Sequence, residues 1–163
     1  MAEQKRYTVT LYTDGSCSGN GMEQNVGGWA FRLDTGQRHK TGKGWVFQTT
    51  NNAMKLMAVI EGVRALKAPC DVKVVTDSTY VCGVASSIRD FMKRGWHTTS
   101  GKLISNYKEW MSLITVCKAG GHKLTFMHVN GHAGHPENEE CDQLARAAAK
   151  EGKAAMKEVP VNV

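Results

Sequence analysis

The stretch YTVTLYTDGSC, residues 7–17, decides the fold, because it predicts a strand that ends at a carboxylate. In its first half, residues 8–12, polar and apolar side chains alternate and several are β-branched, which is typical of a strand. Gly15 and Ser16 are expected to end the strand pairing directly after Asp14. A carboxylate at the end of a buried strand is costly unless a cation or a helix end compensates its charge. Since most Asp-Gly pairs are simple turns, Asp14 alone leaves both a turn and a functional site open.

The same pattern recurs at Asp77, which follows the predicted strand VKVVT at residues 72–76. Between the two strands, residues 49–69 predict a helix, because polar residues can cap its start, apolar residues recur at helical spacing and a proline ends it. A strand, a helix and a strand predict a right-handed parallel pairing, which places Asp14 beside Asp77 at the carboxyl edge of the sheet. Two unpaired carboxylates would repel there, so the sequence predicts a shared divalent cation.

The other elements complete a single α/β domain. Strands over residues 29–33 and 42–48 follow the first one, so the chain is predicted to open as an antiparallel meander. Further along the chain the pattern predicts helices over 78–84 and 106–118, a strand over 124–129 and a final helix from Pro136 that carries Asp142. The domain is expected to span residues 1–150, with a loosely ordered tail over residues 151–163.

Composition narrows the class of protein. A formal net charge of +6 suggests a polyanionic partner, and basic and aromatic residues interleave over 86–102, as on a nucleic-acid surface or on a solvated helix. Five scattered cysteines without a Cys-x-x-Cys pair predict free thiols in a reducing cytoplasm. No apolar run approaches membrane-spanning length and no signal peptide is recognised. We therefore expect a cytoplasmic monomer with no membrane contact and no obligatory protein partner.

Five segments together resemble type 1 ribonuclease H, in order and over nearly the whole chain. They are TDGSC at 13–17, TTNNAMKLMA at 49–58, TDSTYV at 76–81, KRGW at 93–96 and GHAGHPENEECDQLARAAA at 131–149. The resemblance implies a ribonuclease H-like fold with a mixed five-stranded sheet, three antiparallel strands then two parallel ones, flanked by helices. It also implies an endonuclease that hydrolyses the RNA strand of RNA–DNA hybrids.

The resemblance implies two magnesium ions, replaceable by manganese, held by four carboxylates. Three of these match Asp14, Asp77 and Asp142, but Lys55 stands where the family has its catalytic glutamate. A pair of unit charges about 4 Å apart is worth roughly 4 kcal/mol at an effective dielectric near 20, so Lys55 is expected to discourage the second ion and impair catalysis. Its flexible stem is expected to carry the ammonium to the aspartates as a tethered cation. His132 is expected to assist catalysis as a proton carrier.

The resemblance also implies substrate-binding positions, namely Asn20, Thr50, Asn52, Thr79, Lys93, Arg94, Trp96 and Asn106. Several departures from the family, among them Gln48, Phe91 and Asn130, predict weaker binding of the hybrid. Two functions therefore stay open. One is hybrid hydrolysis slowed by Lys55, and the other is a catalytically silent protein that binds RNA–DNA hybrids. The three aspartates and His132 favour hydrolysis, because a pure binder has no evident use for them.

Overall fold

The structure is a computed structural model that describes residues 5–19, 24–131 and 134–158. Its elements in chain order are β1 (Tyr7–Ser18), β2 (Val26–Asp34), β3 (His39–Phe47), α1 (Asn51–Arg64), β4 (Cys70–Thr76), α2 (Thr79–Ser86), α3 (Ile88–Lys93), α4 (Tyr107–Gly120), β5 (Lys123–His128) and α5 (Pro136–Glu158). Every strand and helix predicted from the sequence is present, and α3 is an additional short helix.

The five strands form one mixed sheet in the order β3-β2-β1-β4-β5. The pairs β1–β2 and β2–β3 are antiparallel, whereas β1–β4 and β4–β5 are parallel. This confirms the predicted ribonuclease H-like sheet. The parallel register of β1 and β4 ends with Tyr12 opposite Val75. Asp14 and Asp77 each lie two residues beyond that last pair, so they meet at the carboxyl edge of the sheet.

β1 continues past Asp14 to Ser18, so the predicted end of the strand at Asp14 is wrong. Its antiparallel pairing with β2 extends as far as Ser18 opposite Val26. Gly15 belongs to the strand because α1 packs directly against it: a Cβ at Gly15 would lie 2.4 Å from the backbone nitrogen of Lys55. The glycine therefore allows a close approach of two backbones instead of ending the strand.

Helices cover both faces of the sheet, as two successive residues of β2 show. A Cβ on Gly27 would lie 2.5 Å from Cγ of Met54 in α1, whereas one on Gly28 would lie 1.9 Å from the carbonyl oxygen of Ala145 in α5. Because successive positions of a strand face opposite sides, α1 and α5 lie on opposite faces. The larger core is on the α1 side, where α4 also packs and contributes the fully buried Trp110.

α5 continues to Glu158, so residues 151–158 are helical where the sequence predicted a loosely ordered tail. Contacts with the sheet explain the difference. The Glu151 carboxylate forms an ion pair with Lys43 of β3, and Gly152 is buried beside Val26 and Trp45. The tail was predicted because residues 151–163 lack apolar periodicity, and such a local pattern carries no information on contacts with β3.

Two expectations from composition can be checked. The five cysteines all fall within the described residues and carry free thiols, as predicted. In the part of the chain that the structure describes, no helix combines the length and the apolar character that crossing a membrane requires.

Candidate active site

Asp14 lies at the centre of the carboxyl edge and is almost completely buried, with 6% of its surface exposed. Its Oδ1 accepts a hydrogen bond from the Gly15 backbone N–H at 2.8 Å. Burial raises the pKa of Asp14 to about 6; the Lys55 ammonium opposes this rise, and the carboxylates of Asp77 and Asp142 add to it. The ionised form of Asp14 thus depends on a nearby cation, as its position in the sequence predicted.

Asp77 follows β4 directly and is held by the start of α2. The side chain of Thr76 accepts a hydrogen bond from the Ser78 N–H at 3.1 Å, and the Ser78 hydroxyl caps α2 by accepting from the Val81 N–H at 3.0 Å. Gly131 leaves room for the carboxylate, since a Cβ there would lie only 3.0 Å from Oδ2 of Asp77. The backbone on both sides of Asp77 is therefore fixed, and its carboxylate faces the loop after β5.

Lys55 bridges the two aspartates. Its Nζ lies 2.9 Å from Oδ1 of Asp77 and 3.5 Å from Oδ1 of Asp14, and 22% of its side chain is exposed. Burial alone would lower the pKa of Lys55, but the two carboxylates outweigh that effect and raise the pKa, so the ammonium form is favoured. The predicted tethered cation is present. α1 can deliver it because Gly15 lets the helix backbone approach β1 at the position of Lys55.

Asp142 lies on α5 and lines the same small cleft as Asp14 and Asp77. Its Oδ2 pairs with Nη2 of Arg146, one helical turn further on, at 3.3 Å. The structure thus brings the three predicted aspartates to one cleft. It also pairs their charges: Asp14 and Asp77 share the single positive charge of Lys55, and Asp142 pairs with Arg146.

The described residues do not fit the two-ion site that the resemblance implies. Among them, no group of three or more histidine, cysteine, aspartate or glutamate side chains is arranged so that it could hold a metal ion. The Lys55 ammonium takes the place between Asp14 and Asp77 that a bridging magnesium or manganese ion would need. The side of the cleft between Asp14 and Asp142 keeps two carboxylates, which suits at most one divalent ion.

Asn138 was not predicted as a site residue, although it lines the cleft. Its Nδ2 donates to the carbonyl oxygen of Val75 at 3.1 Å, which joins α5 to the end of β4. Its Oδ1 is buried without a hydrogen-bond partner among the described residues. A buried amide oxygen without a partner is unusual, and this one lies at the junction of α5 with the end of β4. The only signal in the sequence is its place in the acidic first turns of the final helix.

Two predicted substrate-binding residues lie at the start of α1. Thr50 is the N-cap of α1, where its hydroxyl accepts from the Ala53 N–H at 3.1 Å. Asn52 is exposed in the first turn. The neighbouring Asn51 accepts a hydrogen bond from the Cys17 N–H at 2.8 Å, which ties the end of β1 to this helix start. A helix N-terminus has unpaired backbone N–H groups and favours anions, which is compatible with a phosphate close to Thr50.

Asn106 and Thr79 lie near a second helix start, organised by the hydroxyl of Tyr80. The Tyr80 hydroxyl accepts from Asn106 Nδ2 and from Trp110 Nε1, both at 3.1 Å, and donates to the Ser105 carbonyl oxygen at 2.8 Å. Asn106 has a left-handed backbone with φ 61°, a conformation that asparagine tolerates better than most residues. Its amide is thereby held beside α2, whose first residue is the exposed Thr79.

The basic segment around α3 places its charges in solvent. Lys93 and Arg94 are exposed, and the chain then reverses through positive φ angles at Gly95 and Trp96. Trp96 packs against the main core, its N–H donates to the Phe91 carbonyl oxygen at 2.7 Å, and its carbonyl accepts from Ile104. The aromatic residue therefore anchors the segment and the cations remain accessible. Asn20 and His132 fall outside the described residues, so their predicted roles stay predictions.

Comparison with known proteins agrees with this arrangement. A family model described as RNase H matches residues 6–150. The ribonuclease H of Campylobacter concisus (strain 13826) is 45% identical over 141 residues, which cover 86% of this chain and 92% of that protein.

Solved structures show the same fold. LC9-RNase H1, a type 1 RNase H with the type 2 active-site motif, superposes with a TM-score of 0.76 at 32% identity, covering 92% of this chain and 75% of that one. LC11-RNase H1, in complex with RNA/DNA hybrid, superposes with a TM-score of 0.66 at 15% identity, covering 89% of this chain and 99% of that one.

Proposed function

Because the chain belongs to the ribonuclease H family, we propose that it hydrolyses the RNA strand of RNA–DNA hybrids, at a rate lowered by Lys55. The observation that carries the proposal is the convergence of Asp14, Asp77 and Asp142 on one cleft at the carboxyl edge of the sheet. Open α/β sheets bind their ligands at this edge. The substrate class is supported by the family and by the hybrid complex of LC11-RNase H1, which has the same fold.

In this proposal the chain's own residues neutralise and position charge. The Asp14 and Asp77 carboxylates hold the Lys55 ammonium, which offers one fixed positive charge to a phosphate entering the cleft. Fixed charges aimed at a developing oxyanion contribute to catalysis, but one lysine that is already shared by two carboxylates has little left to give. His132 is proposed as the proton carrier, on the strength of the matched motif alone.

Replacement of Lys55 by the family's residue tests the proposal. We expect Lys55→Glu to cleave a labelled RNA–DNA hybrid faster than the parent chain in magnesium. An electrostatic difference of about 4 kcal/mol corresponds to about a thousandfold in rate at 1.36 kcal/mol per tenfold, which sets the scale of the effect. Lys55→Met, which removes the ammonium but adds no carboxylate, is the matched control and should recover little activity. Equal turnover by the parent chain and by Lys55→Glu in saturating magnesium would contradict the assigned role of Lys55.

A second candidate function is hybrid binding without cleavage. The ion pair itself favours it, because Lys55 offsets one of the two negative charges of Asp14 and Asp77, which would otherwise repel the phosphates of a polyanion more strongly. Cleavage by the parent chain that is slow but lost in Asp14→Asn would support hydrolysis. Retained hybrid binding with no cleavage above that of Asp14→Asn would support the silent binder.

A further inference from the structure

A groove beside the cleft carries a row of cations that the resemblance does not assign. It lies between the end of β1 and the middle of α5, has a volume of about 250 Å³, and is lined by Ser16, Ser18, Arg146, Ala149, Lys150 and Lys153. We call these six residues the basic groove. A smaller depression lined by Ser18, Gly19 and Lys153 continues it along the same helix.

The cations of the basic groove follow one face of α5. Arg146, Lys150 and Lys153 are spaced by four and three residues, which places them in line on a helix. The acids of α5 are concentrated before this stretch, at Glu137, Glu139 and Glu140. Charge is therefore segregated along the helix, with the acidic first turns ahead of Asp142 and the basic face beyond it.

Lys150 and Lys153 are exposed, and in the described part of the chain neither forms an ion pair with a carboxylate. The neighbouring acid on the helix, Glu151, pairs with Lys43 of β3 instead. Because no carboxylate offsets the charge of these two ammonium groups, both can pair with an external anion. Ser16 and Ser18 add hydroxyl groups to the opposite wall of the groove, and hydroxyls together with ammonium groups are usual contacts to phosphate oxygens.

The basic groove is connected to the acidic cleft through one ion pair. Arg146 lines the groove and Asp142 lines the cleft, and Nη2 of Arg146 lies 3.3 Å from Oδ2 of Asp142. The two sites are therefore adjacent on α5. From Asp142 to Lys153 the helix rises by roughly 16 Å at 1.5 Å per residue. A duplex strand presents several phosphates over that length, at about 3.4 Å of axis each.

We propose that the basic groove binds the sugar–phosphate backbone of the RNA–DNA hybrid next to the acidic cleft. Lys150 and Lys153 contact phosphates, the serine hydroxyls complete the opposite wall, and Arg146 links this contact to Asp142. The inference rests on the proposed function, since it assigns a further contact for the same substrate. It gives the helical residues after 149 a role in binding, and it explains why charge is segregated along α5.

A charge-matched pair of double variants tests the proposal. Lys150→Ala/Lys153→Ala removes the groove cations, and Lys67→Ala/Lys118→Ala removes two exposed lysines at the opposite edge of the sheet, where α1 and α4 end. Affinity for a fluorescent RNA–DNA hybrid is measured by anisotropy at several salt concentrations. We expect the groove variant to bind on the order of tenfold more weakly at low salt, with its salt slope reduced by about one per lysine, whereas the control keeps the parent's slope within error.

Protection from chemical acetylation tests the same contact in the unaltered chain, and so does not depend on the folding of a variant. Hybrid should protect Lys150 and Lys153 from an amine-reactive reagent, as read by mass spectrometry, and should leave Lys67 and Lys118 reactive. Equal affinities for both double variants, or equal protection of all four lysines, would overturn the basic groove while leaving hybrid hydrolysis intact. Failure of the parent chain to bind hybrid at all would overturn the proposed function and, with it, this contact.

Discussion

Lys55 alters the chemistry of the cleft while its backbone position is dictated by the fold. Its backbone nitrogen packs against Gly15. Its ammonium lies between Asp14 and Asp77, 3.5 Å from Oδ1 of Asp14 and 2.9 Å from Oδ1 of Asp77. The three side chains are largely shielded, with exposures of 22% for Lys55, 8% for Asp14 and 24% for Asp77. Removing one partner of such a pair leaves charge that water screens only partly, which is more costly than losing a surface ion pair.

The stability of Lys55→Glu should therefore depend on metal. Without divalent ions, we expect the variant to unfold at a lower temperature than the parent chain, by about 5–15 °C, because three aspartates and a new carboxylate repel one another. Added magnesium should restore much of this loss, since an ion that binds only the native state contributes about 2.7 kcal/mol at a hundred times its Kd. Calorimetry across a magnesium titration measures both effects.

The control for that titration is Lys55→Met, which should be destabilised less and should respond to magnesium less than Lys55→Glu. A Lys55→Glu variant as stable as the parent without metal would show that the ammonium does not stabilise the aspartates. The same conclusion would follow if all three proteins responded alike to magnesium.

At the scale of elements, the first hairpin is enclosed between two helices that need its glycines. A Cβ on Gly15 would meet the backbone of α1 at 2.4 Å, and one on Gly28 would meet the Ala145 carbonyl oxygen of α5 at 1.9 Å. These contacts are between backbones, which cannot turn aside as a flexible side chain can. These glycines therefore set the distance between α1 and α5 across the sheet. The same distance determines the width of the cleft.

Gly28→Ala should accordingly destabilise the protein by roughly 3 kcal/mol or more, the upper end of what overpacking costs, because α5 must move away from β2. Gly83→Ala is the matched control. Gly83 is exposed in α2 with open space around its Cα, so the same substitution should stabilise by about 0.5–1 kcal/mol. Chemical denaturation of both variants gives the comparison, and similar free energies of unfolding would contradict the close approach of α5.

The order and type of the predicted elements could be derived from the sequence, because alternation in the strands and helical spacing in α1 are local signals. The errors lie where tertiary contacts decide. Gly15 was interpreted as a strand breaker. The sequence alone does not distinguish such a glycine from one that lies inside a strand and allows a helix to pack closely on it. Residues 151–158 were interpreted as a tail, although Lys43 and Trp45 of β3 hold them in a helix.

The site shows the same division. Asp14, Asp77 and Lys55 could be placed together from the strand–helix–strand order and from the resemblance. The partner of Asp142 could not, because an arginine one turn away on a helix is as often solvated as paired. The place of Asn138 in the cleft and the basic groove were missed, since both are formed by residues that are distant in the sequence.

At the scale of the whole molecule, the residues proposed to contact the hybrid include cations on two separate surfaces. One is the segment around α3 with Lys93 and Arg94, and the other is the basic groove on α5. The two surfaces belong to different elements, so their contributions to hybrid binding should be independent.

Arg94→Ala should weaken hybrid binding by up to about tenfold at low salt and reduce the salt slope by about one. Combined with Lys150→Ala/Lys153→Ala, its effect on the logarithm of the affinity should add to that of the groove. Anisotropy measurements on the single, double and triple variants test this additivity. An affinity that is unchanged in Arg94→Ala would remove the α3 segment from the binding surface, and a triple variant no weaker than the groove variant would show that the two surfaces are not independent.

The close packing of α1 on Gly15 has a genetic consequence. Since the helix holds position 55 by its backbone, lysine and glutamate can be exchanged there without moving the scaffold. Lysine codons differ from glutamate codons by a single base in the first position. One transition mutation therefore separates an ion-paired cleft from a carboxylate-rich one, and the reverse mutation is equally short. Under the proposed role of Lys55, this one nucleotide would set the rate of cleavage, and the accompanying cost would be the loss of metal-free stability.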